Sequence, residues 1–281
     1  MENKNIEWNN EKLNTGGTLI EYQKLGNYHA ELKLSHRWLP RYLRRFHIVK
    51  EILHSSLPTD AKIADIGCGE GILIEKLHNE GFEESIGIDP YAPLTNKYMK
   101  KGSILDIPFE DNSLDAVTCL DVLEHIPLHL QEQACQELYR VLNEQGFVII
   151  SVPNMAHLKS RIDFFLKGKP WRNKLEKHPG ELSIHERIQV LENVGFYLLD
   201  SVGIHLTLSY DPSPSGFLGK AKTRLMFSAN VPTDLCWTTM ILLSKGKDST
   251  VAQKFQGNRL LRKFLKSYIP DSIDPTYSAF N

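Results

Sequence analysis

The sequence predicts an α/β fold in which helices cover both faces of a doubly wound, mostly parallel sheet. Strand-like and helix-like patterns alternate from about residue 37 to residue 200, and this order produces such a sheet. The run "FVIISVPN", residues 147–154, is almost continuously apolar, as in strands that are covered on both faces. The chain has 281 residues, of which 41% are hydrophobic, enough for one large domain with additions.

The first half of the chain contains most of the alternating elements. Helix patterns are "HRWLPRYLRRFHIVKEIL" (36–53), "ILIEKLHNEG" (72–81), "PLTNKYMKKG" (93–102) and "LHLQEQACQELYRVLNEQG" (128–146). Strand patterns are "KIADIG" (62–67), "SIGID" (85–89) and "SLDAVTCLD" (113–121). Gly81 is expected to end the second helix. The fourth helix is predicted from an apolar stripe of Leu130, Ala134, Leu138 and Leu142.

The second half adds an insertion and two strands. Residues 153–181 are basic, aromatic and irregular, which indicates an insertion over the carboxyl edge of the sheet. "SIHERIQVLENVGF" (183–196) predicts a helix with Ser183 as its N-cap and Gly195 at its end. Two late strands, "YLLDSVGIHLTL" and "LCWTTMILLSK", flank a Gly-, Pro- and Ser-rich segment at 209–220, and the second is expected to close the sheet.

The ends of the chain are predicted to be accessory segments. We expect an N-terminal helical substrate or lid segment at 1–44, a main domain at 45–247 and a basic amphipathic tail at 248–281. In the tail, "NRLLRKFLKSYI" has apolar and basic sides. It could dock on its own domain, a second subunit or an anionic membrane, and docking on protein is favoured because such a stripe is usually buried. A homodimer formed through the N- or C-terminal helices is a further alternative.

Composition excludes several classes of protein. The formal net charge is -1 with no long block of like charge, so DNA or RNA is not expected as the main partner, although a tRNA substrate stays open. Four scattered cysteines without a CxxC pair argue against disulfides and zinc and favour the cytoplasm. The N-terminus "MENKNIEWNN" lacks an apolar signal core. We predict no metal site.

A glycine-rich turn is the strongest functional signal. In "AKIADIGCGEGILIEKL" (61–77), Gly67, Gly69 and Gly71 separate a strand from a helix. Such a turn presents main-chain N–H groups and a helix N-terminus at the carboxyl edge, where open α/β sheets bind ligands. Asp89 closes the next strand, at the offset where dinucleotide folds place a carboxylate on ribose hydroxyls. Because Ile72 follows Gly71, the spacing departs from the GxGxxG nicotinamide fingerprint.

Several motifs together resemble one enzyme family. The segments "ADIGCGEG" (64–71), "GIDP" (87–90), "GSILDIPFEDNSLDAV" (102–117), "LDVLEHI" (120–126) and "LYRVLNEQGFVIISVPN" (138–154) resemble, in order, the motifs of the class I S-adenosylmethionine-dependent methyltransferases. The resemblance covers roughly residues 45–200 and is closest to the small-molecule branch with the ubiquinone-pathway O-methyltransferases. It implies a Rossmann-like methyltransferase fold of seven strands, the last antiparallel, with an insertion after strand five. The implied cofactor is S-adenosyl-L-methionine, and the product is S-adenosyl-L-homocysteine.

The resemblance also implies the residues that contact the cofactor. Asp89 would hold the ribose, and Asp106 would accept a hydrogen bond from the adenine amino group, with Ile107 at the ring. Asp65 and Asp121 would lie near the methionine portion. The full implied set is Asp65, Gly67, Cys68, Gly69, Gly71, Asp89, Pro90, Asp106, Ile107 and Asp121.

The expected reaction is a direct in-line displacement, in which the protein mainly aligns and desolvates the reactants. A hydroxyl of a small biosynthetic intermediate is the favoured acceptor, and a histidine near neutrality would suit it as general base. The candidates are His125, His157, His178 and His185. His125 is preferred, with Glu124 as an orienting partner, although packing of the turn explains His125 equally well.

Three alternatives remain at this point. An N- or C-methyltransferase acting on a small molecule or a peptide-derived natural product would share every cofactor motif. A nicotinamide-dependent oxidoreductase and a non-catalytic cofactor-binding protein are less favoured. Basic and aromatic residues in the insertion hint at an anionic or aromatic acceptor, but solvated loop charges would explain them too: Lys159, Arg161, Phe164, Phe165, Trp171 and Arg172.

Overall fold

The computed structural model describes residues 39–92, 97–171, 178–206 and 230–267. Its helices are α1 Leu39–Ser56, α2 Ile72–Asn79, α3 Gln131–Val141, α4 Leu158–Lys167, α5 Ile184–Val194, α6 Thr250–Phe255 and α7 Leu260–Ser267. Its strands are β1 Ile63–Ile66, β2 Ser85–Asp89, β3 Met99–Lys101, β4 Leu114–Leu120, β5 Leu142–Pro153, β6 Tyr197–His205 and β7 Thr238–Ser244. The predicted lid segment lies almost entirely outside these ranges, as does the segment at 209–220.

The seven strands form one sheet in the order β3-β2-β1-β4-β5-β7-β6. The first five strands are parallel to one another, and β7 runs antiparallel to both β5 and β6. This confirms the predicted doubly wound sheet and its antiparallel last strand. The expectation that the second late strand closes the sheet was wrong, because β7 inserts beside β5 and leaves β6 at the edge.

Two apolar cores lie on the two faces of the sheet, because successive strand residues point to opposite sides. Ile63 of β1 belongs to one core, with α1, α2, α6 and α7. Ala64, the next residue, belongs to the other core, with α3 and α5. The start of α5 is confirmed: Ser183 and Glu186 form a reciprocal capping box. Gly195, at φ +119°, follows the last turn of that helix as predicted.

The helix predicted at 93–102 is wrong where the structure describes it. Met99–Lys101 is strand β3, which pairs in parallel with β2 through Gly87 and Met99. Met99 is 6% exposed and packs with Cys68 in a small apolar cluster. Tertiary pairing at the sheet edge has outweighed the local helical pattern here.

Two other boundaries differ from prediction. Helix α3 ends at Val141, and Leu142, which was assigned to the helical stripe, is extended and begins β5. The irregular insertion contains a regular helix, α4, whose N-cap is His157. Leu142 pairs with Leu114 of β4, so strand pairing takes this leucine out of the helix.

The C-terminal amphipathic helix packs on its own chain. Leu261 and Leu265 of α7 are buried in the same core as α1, and the Asp200 carboxylate accepts a hydrogen bond from the Leu261 N–H at 3.0 Å. This confirms the favoured expectation that the apolar side docks on protein. No helix in the four described ranges is long and apolar enough to cross a membrane.

Candidate active site

The glycine turn after β1 is built from left-handed backbone. Gly67, Gly69 and Gly71 have φ angles of +77°, +57° and +81°, a region that side-chain-bearing residues rarely adopt. The N–H groups of Gly67 and Cys68 donate to the Ile88 carbonyl oxygen at 2.7 and 3.2 Å. These bonds fix the turn against the carboxyl end of β2.

Packing beneath the turn leaves no room for side chains. A Cβ atom added at Gly67 would lie 2.3 Å from Val122 Cγ2, and one at Gly71 would lie 2.7 Å from Met99 Sδ. The main chain is therefore bare at Gly67 and Gly71, and the turn leads directly into α2 at Ile72. A bare turn followed by a helix N-terminus suits a polar ligand that approaches the backbone.

Asp89 is held against this turn. Its Oδ2 accepts a hydrogen bond from the Gly69 N–H at 3.0 Å, and its Oδ1 accepts one from the Tyr91 N–H at 2.8 Å. Pro90, the next residue, is exposed. The structure thus brings the glycine turn and the Asp89 carboxylate together, as the sequence predicted.

Asp65 lies one layer deeper, at the end of β1. It is 4% exposed, and its Oδ1 accepts a hydrogen bond from Thr118 Oγ1 of β4 at 2.7 Å. The pair links neighbouring strands just below the turn. Cys68 is also buried, and its thiol donates weakly to the Gly69 carbonyl oxygen at 3.9 Å. Both side chains therefore support the turn from inside.

Asp121 follows β4 in a left-handed conformation, with φ +57°. Its N–H donates to the Ser151 carbonyl oxygen at 2.9 Å, and its Oδ1 accepts from Ser151 Oγ at 2.7 Å. Arg45 of α1, which is 5% exposed, donates to Oδ2. Neither Arg45 nor Ser151 was predicted from the sequence as part of the site. The only sequence signal for Arg45 was that it adjoins Arg44 in α1, and adjacent arginines are typical of a solvated helix face.

Asp106 and Ile107 lie apart from this group. Asp106 lines a shallow cavity of about 670 Å³ together with Lys62 and Glu84, which precede β1 and β2. These neighbours are at the amino ends of the strands, whereas the glycine turn is at the carboxyl ends. The Ile107 N–H donates to Glu137 Oε2 at 2.8 Å. None of these contacts tests the adenine role of Asp106, which stays a prediction.

Two of the candidate histidines meet at the carboxyl edge. The rings of His125, in the short turn after β4, and His178, at the end of the insertion, are 4.8 Å apart and nearly perpendicular. Both are half-buried. Residues far apart in sequence thus form one imidazole pair, while His185 is exposed on α5.

His157 has a different environment. It is 1% exposed, its Nδ1 accepts the Ser160 N–H at 3.4 Å to cap α4, and its ring stacks on Trp237 at 5.6 Å. Burial, and secondarily the nearby Lys159 charge, lower its pKa to about 4. The ring is therefore neutral at pH 7, and its environment favours packing and capping over proton transfer.

Glu124 is a buried carboxylic acid beside the histidine pair. Burial, and then the negative charge of Asp121, raise its pKa well above the usual range. Its Oε2 has no hydrogen-bond partner among the described residues. The Gly180 N–H donates to its carbonyl oxygen at 3.0 Å, so the end of the insertion is attached to the turn after β4. Orientation of His125 by Glu124 stays a prediction.

The strand order, the glycine turn and the carboxylate at the end of β2 are those of the fold that class I S-adenosylmethionine-dependent methyltransferases share. Residues 64–150 match the family model described as "Methyltransferase domain". Residues 64–150 therefore form a methyltransferase domain. The matches and the fold support the class I S-adenosylmethionine-dependent family, which implies S-adenosylmethionine as the cofactor.

Individual relatives cover only part of the sequence. The chain is 29% identical over 172 residues to a "Probable S-adenosylmethionine-dependent methyltransferase" of Mycolicibacterium smegmatis, covering 58% of this chain and 62% of that protein. The chain thus spans about three-fifths of the length of this relative and of a second one, an uncharacterized protein of Methanocaldococcus jannaschii. It is 32% identical over 108 residues to a ubiquinone biosynthesis O-methyltransferase of Yersinia enterocolitica, covering 34% of this chain and 43% of that one.

The fold is also similar to that of solved structures. A chain from the Haloferax volcanii complex of the Trm112 methyltransferase activator with a methyltransferase superposes with a TM-score of 0.53 at 15% identity. The match covers 81% of this chain and 96% of that chain. At this identity the likeness concerns the fold alone.

Proposed function

We propose that this protein transfers a methyl group from S-adenosylmethionine to a hydroxyl oxygen of a small biosynthetic intermediate. The observation that carries the proposal is the Asp89 carboxylate held by the Gly69 N–H on a turn of left-handed glycines. A carboxylate has several acceptor sites and suits the two vicinal hydroxyls of a ribose. The bare turn lets the ligand approach the main chain.

Different residues of the crevice would bind different parts of the cofactor. We assign the ribose to Asp89 and the methionine portion to the main chain of the glycine turn, with Asp121 close to its amino group. Asp65 would affect cofactor binding indirectly, by supporting the glycine turn, because its side chain is buried against Thr118. Once bound, S-adenosylmethionine would supply a methyl group on a positively charged sulfur for direct displacement by the acceptor.

The histidine pair supports an oxygen acceptor. A hydroxyl loses its proton as it is methylated, and a histidine positioned at the carboxyl edge could accept that proton. His125 and His178 are close enough for one ring to orient the other. The relatives include both a ubiquinone biosynthesis O-methyltransferase and a ubiquinone/menaquinone biosynthesis C-methyltransferase, so the proposal of oxygen rests on the histidine pair.

We also propose that the protein works in the cytoplasm. Its four cysteines are all buried thiols in the described ranges, and none forms a disulfide. Reduced thiols are typical of that compartment. Separation of the cytoplasmic from the extracytoplasmic fractions of the native host, with detection of the protein in each, would test the location.

Calorimetry tests the cofactor site. Titration with S-adenosylmethionine should show binding that Asp89→Ala weakens at least about tenfold, because the ribose hydroxyls lose their acceptors. Asp60→Ala is the matched control, since Asp60 is exposed in the loop before β1, and should bind like the wild type. Equal affinity in Asp89→Ala would reject the ribose assignment.

Formation of S-adenosylhomocysteine tests the reaction. A panel of phenols, catechols, hydroxy acids and amines would be assayed, with the methylated atom located by mass spectrometry and NMR. With a hydroxyl acceptor, His125→Gln or His178→Gln should lower kcat by about 10²-fold or more and remove an ionisation from its pH profile. Turnover restricted to amine or carbon acceptors would replace O-methylation by one of the alternatives.

A further inference from the structure

We propose that helix α4 docks on an anionic membrane surface. Four large apolar side chains on this helix are exposed in the structure. Their exposed fractions are Ile162 42%, Phe164 60%, Phe165 87% and Leu166 69%. We call these four residues the outer face of α4. Exposed aromatic and aliphatic groups on one short helix mark a contact surface rather than ordinary surface residues.

Helix α4 has its polar side inward. Its buried residues are Ser160 and Asp163. Phe165, the most exposed residue, lies about 160° around the helix axis from Asp163 and about 140° from Ser160. Phe165 and Ile162 thus lie on the side opposite the one that packs on the domain, and Phe164 and Leu166 lie at the margins of the buried side, about 40° from Ser160 and about 60° from Asp163. An exposed apolar side of this kind is the reverse of an ordinary surface helix.

Ion pairs, together with the His157 side chain that caps its N-terminus, hold α4 in this orientation. The Asp163 carboxylate, 7% exposed, binds Lys159 at 2.5 Å and Lys167 at 3.0 Å. Arg161 donates to the Ala156 carbonyl oxygen and binds Asp234 at 3.1 Å. The inward side is therefore satisfied by hydrogen bonds and ion pairs, and rotating the helix to bury Phe165 would break them.

The charge around the outer face selects an anionic partner. In its described part, 154–171, the insertion contains four Lys or Arg residues and one acidic residue, Asp163, in a chain of net charge -1. Lys169, just after the helix, is exposed. A second copy meeting the same face across a two-fold axis would bring like charges together. An anionic lipid surface instead attracts the basic residues and accepts the apolar side chains.

The length of the helix decides the mode of binding. Ten residues are about half of what a bilayer-spanning helix needs. The outer face would lie in the interface, with the aromatic rings among the headgroups and the basic side chains toward anionic lipid. The inference does not depend on which acceptor the enzyme uses.

Vesicle co-sedimentation of the full chain tests this docking. We expect binding to phosphatidylcholine vesicles containing about 30% phosphatidylglycerol to be at least tenfold tighter than to pure phosphatidylcholine. Added salt should weaken it. The double variant Phe165→Ser with Leu166→Ser should weaken it about tenfold or more, because binding scales with the inserted apolar area. Tyr197→Ser, at an exposed tyrosine of β6 (44%), is the control and should bind like the wild type.

Three outcomes would overturn the proposal. These are no binding to the anionic vesicles, equal binding to both vesicle types, and unchanged binding by the double variant. A dimer in light scattering that the double variant dissociates without lipid would assign the face to a second copy instead. S-adenosylmethionine affinity, measured on every variant, verifies folding and keeps this test separate from that of the proposed function.

Discussion

Arg45 of α1 and the Asp121 carboxylate after β4 form an ion pair, and Ser151 of β5 is hydrogen-bonded to both. The Arg45 side chain is 6% exposed and that of Asp121 is 32% exposed. The helix that precedes the sheet is thereby attached to the crevice at its carboxyl edge. Asp121 keeps its left-handed backbone because its main chain and both carboxylate oxygens are held.

Arg45→Met should lower the free energy of unfolding by about 1–3 kcal/mol, because it leaves the Asp121 charge without this cation in a partly buried site. It should also weaken S-adenosylmethionine binding, since Asp121 loses its orientation. Urea unfolding and calorimetry measure the two effects.

Lys50→Met is the matched control on the same helix. Lys50 pairs with Glu80 with both side chains largely exposed (43% and 37%), so its removal should cost less than about 1 kcal/mol. If the two variants were equally stable, the Arg45 pair would have no special role.

Gly67→Ala should destabilise the protein by about 3 kcal/mol or more. The new Cβ would lie 2.3 Å from Val122 Cγ2, so packing strain adds to the cost of left-handed backbone. Gly168→Ala provides the comparison, because φ is +68° and no atom lies within 4 Å of its Cβ position. It should cost only about 1–2 kcal/mol in thermal or urea unfolding.

Val122→Ala, combined with Gly67→Ala, should recover part of the loss, because the clashing methyl group is gone. A double-mutant cycle measures this coupling. Strictly additive effects would show that Val122 is not the source of the clash.

His157→Asn should make the free energy of unfolding depend less strongly on pH between pH 7 and pH 4. The unfolded chain protonates this histidine below its ordinary pKa of 6.5, whereas the folded protein does so only near pKa 4. The unfolded state therefore binds more protons in this window, and stability falls as pH falls through it, by about 3 kcal/mol at most. Asparagine can still cap α4 but does not titrate.

Urea unfolding at pH 7 and at pH 4 measures the change. The loss of stability between the two pH values should be smaller in His157→Asn than in the wild type. His185→Asn, at an exposed position of α5, should leave the pH dependence as it is. A wild-type-like loss in His157→Asn would contradict the buried, neutral assignment.

Asp106→Ala should change S-adenosylmethionine affinity by less than about twofold, because Asp106 faces a cavity at the amino ends of β1 and β2. Asp89→Ala serves as the positive comparison in the same calorimeter. A tenfold loss in Asp106→Ala would support the adenine role that the family resemblance implies.

Local patterns predicted most of the fold. Ser183 and Gly195 marked the ends of α5 because capping and left-handed termination depend on neighbouring residues only. The strand at Met99 and the early end of α3 before Leu142 were missed. In both places a partner strand, distant in sequence, decides the conformation.

In the candidate active site, too, some residues could be placed from the sequence and others depended on distant partners. Gly67, Gly69, Gly71 and Asp89 could be placed together from sequence, because the ends of adjacent parallel strands meet at one edge. The side chain of Arg45 gave no such signal, since its partner follows a strand more than seventy residues away.

The sequence alone determined the order of elements, the bare turn and the family, because these depend on short-range chemistry and fixed spacing. Tertiary structure decided which histidines meet, which way Asp106 faces and which side of α4 is exposed. These outcomes depend on how separate elements pack, and side-chain burial and long-range pairing exist only once the chain has folded.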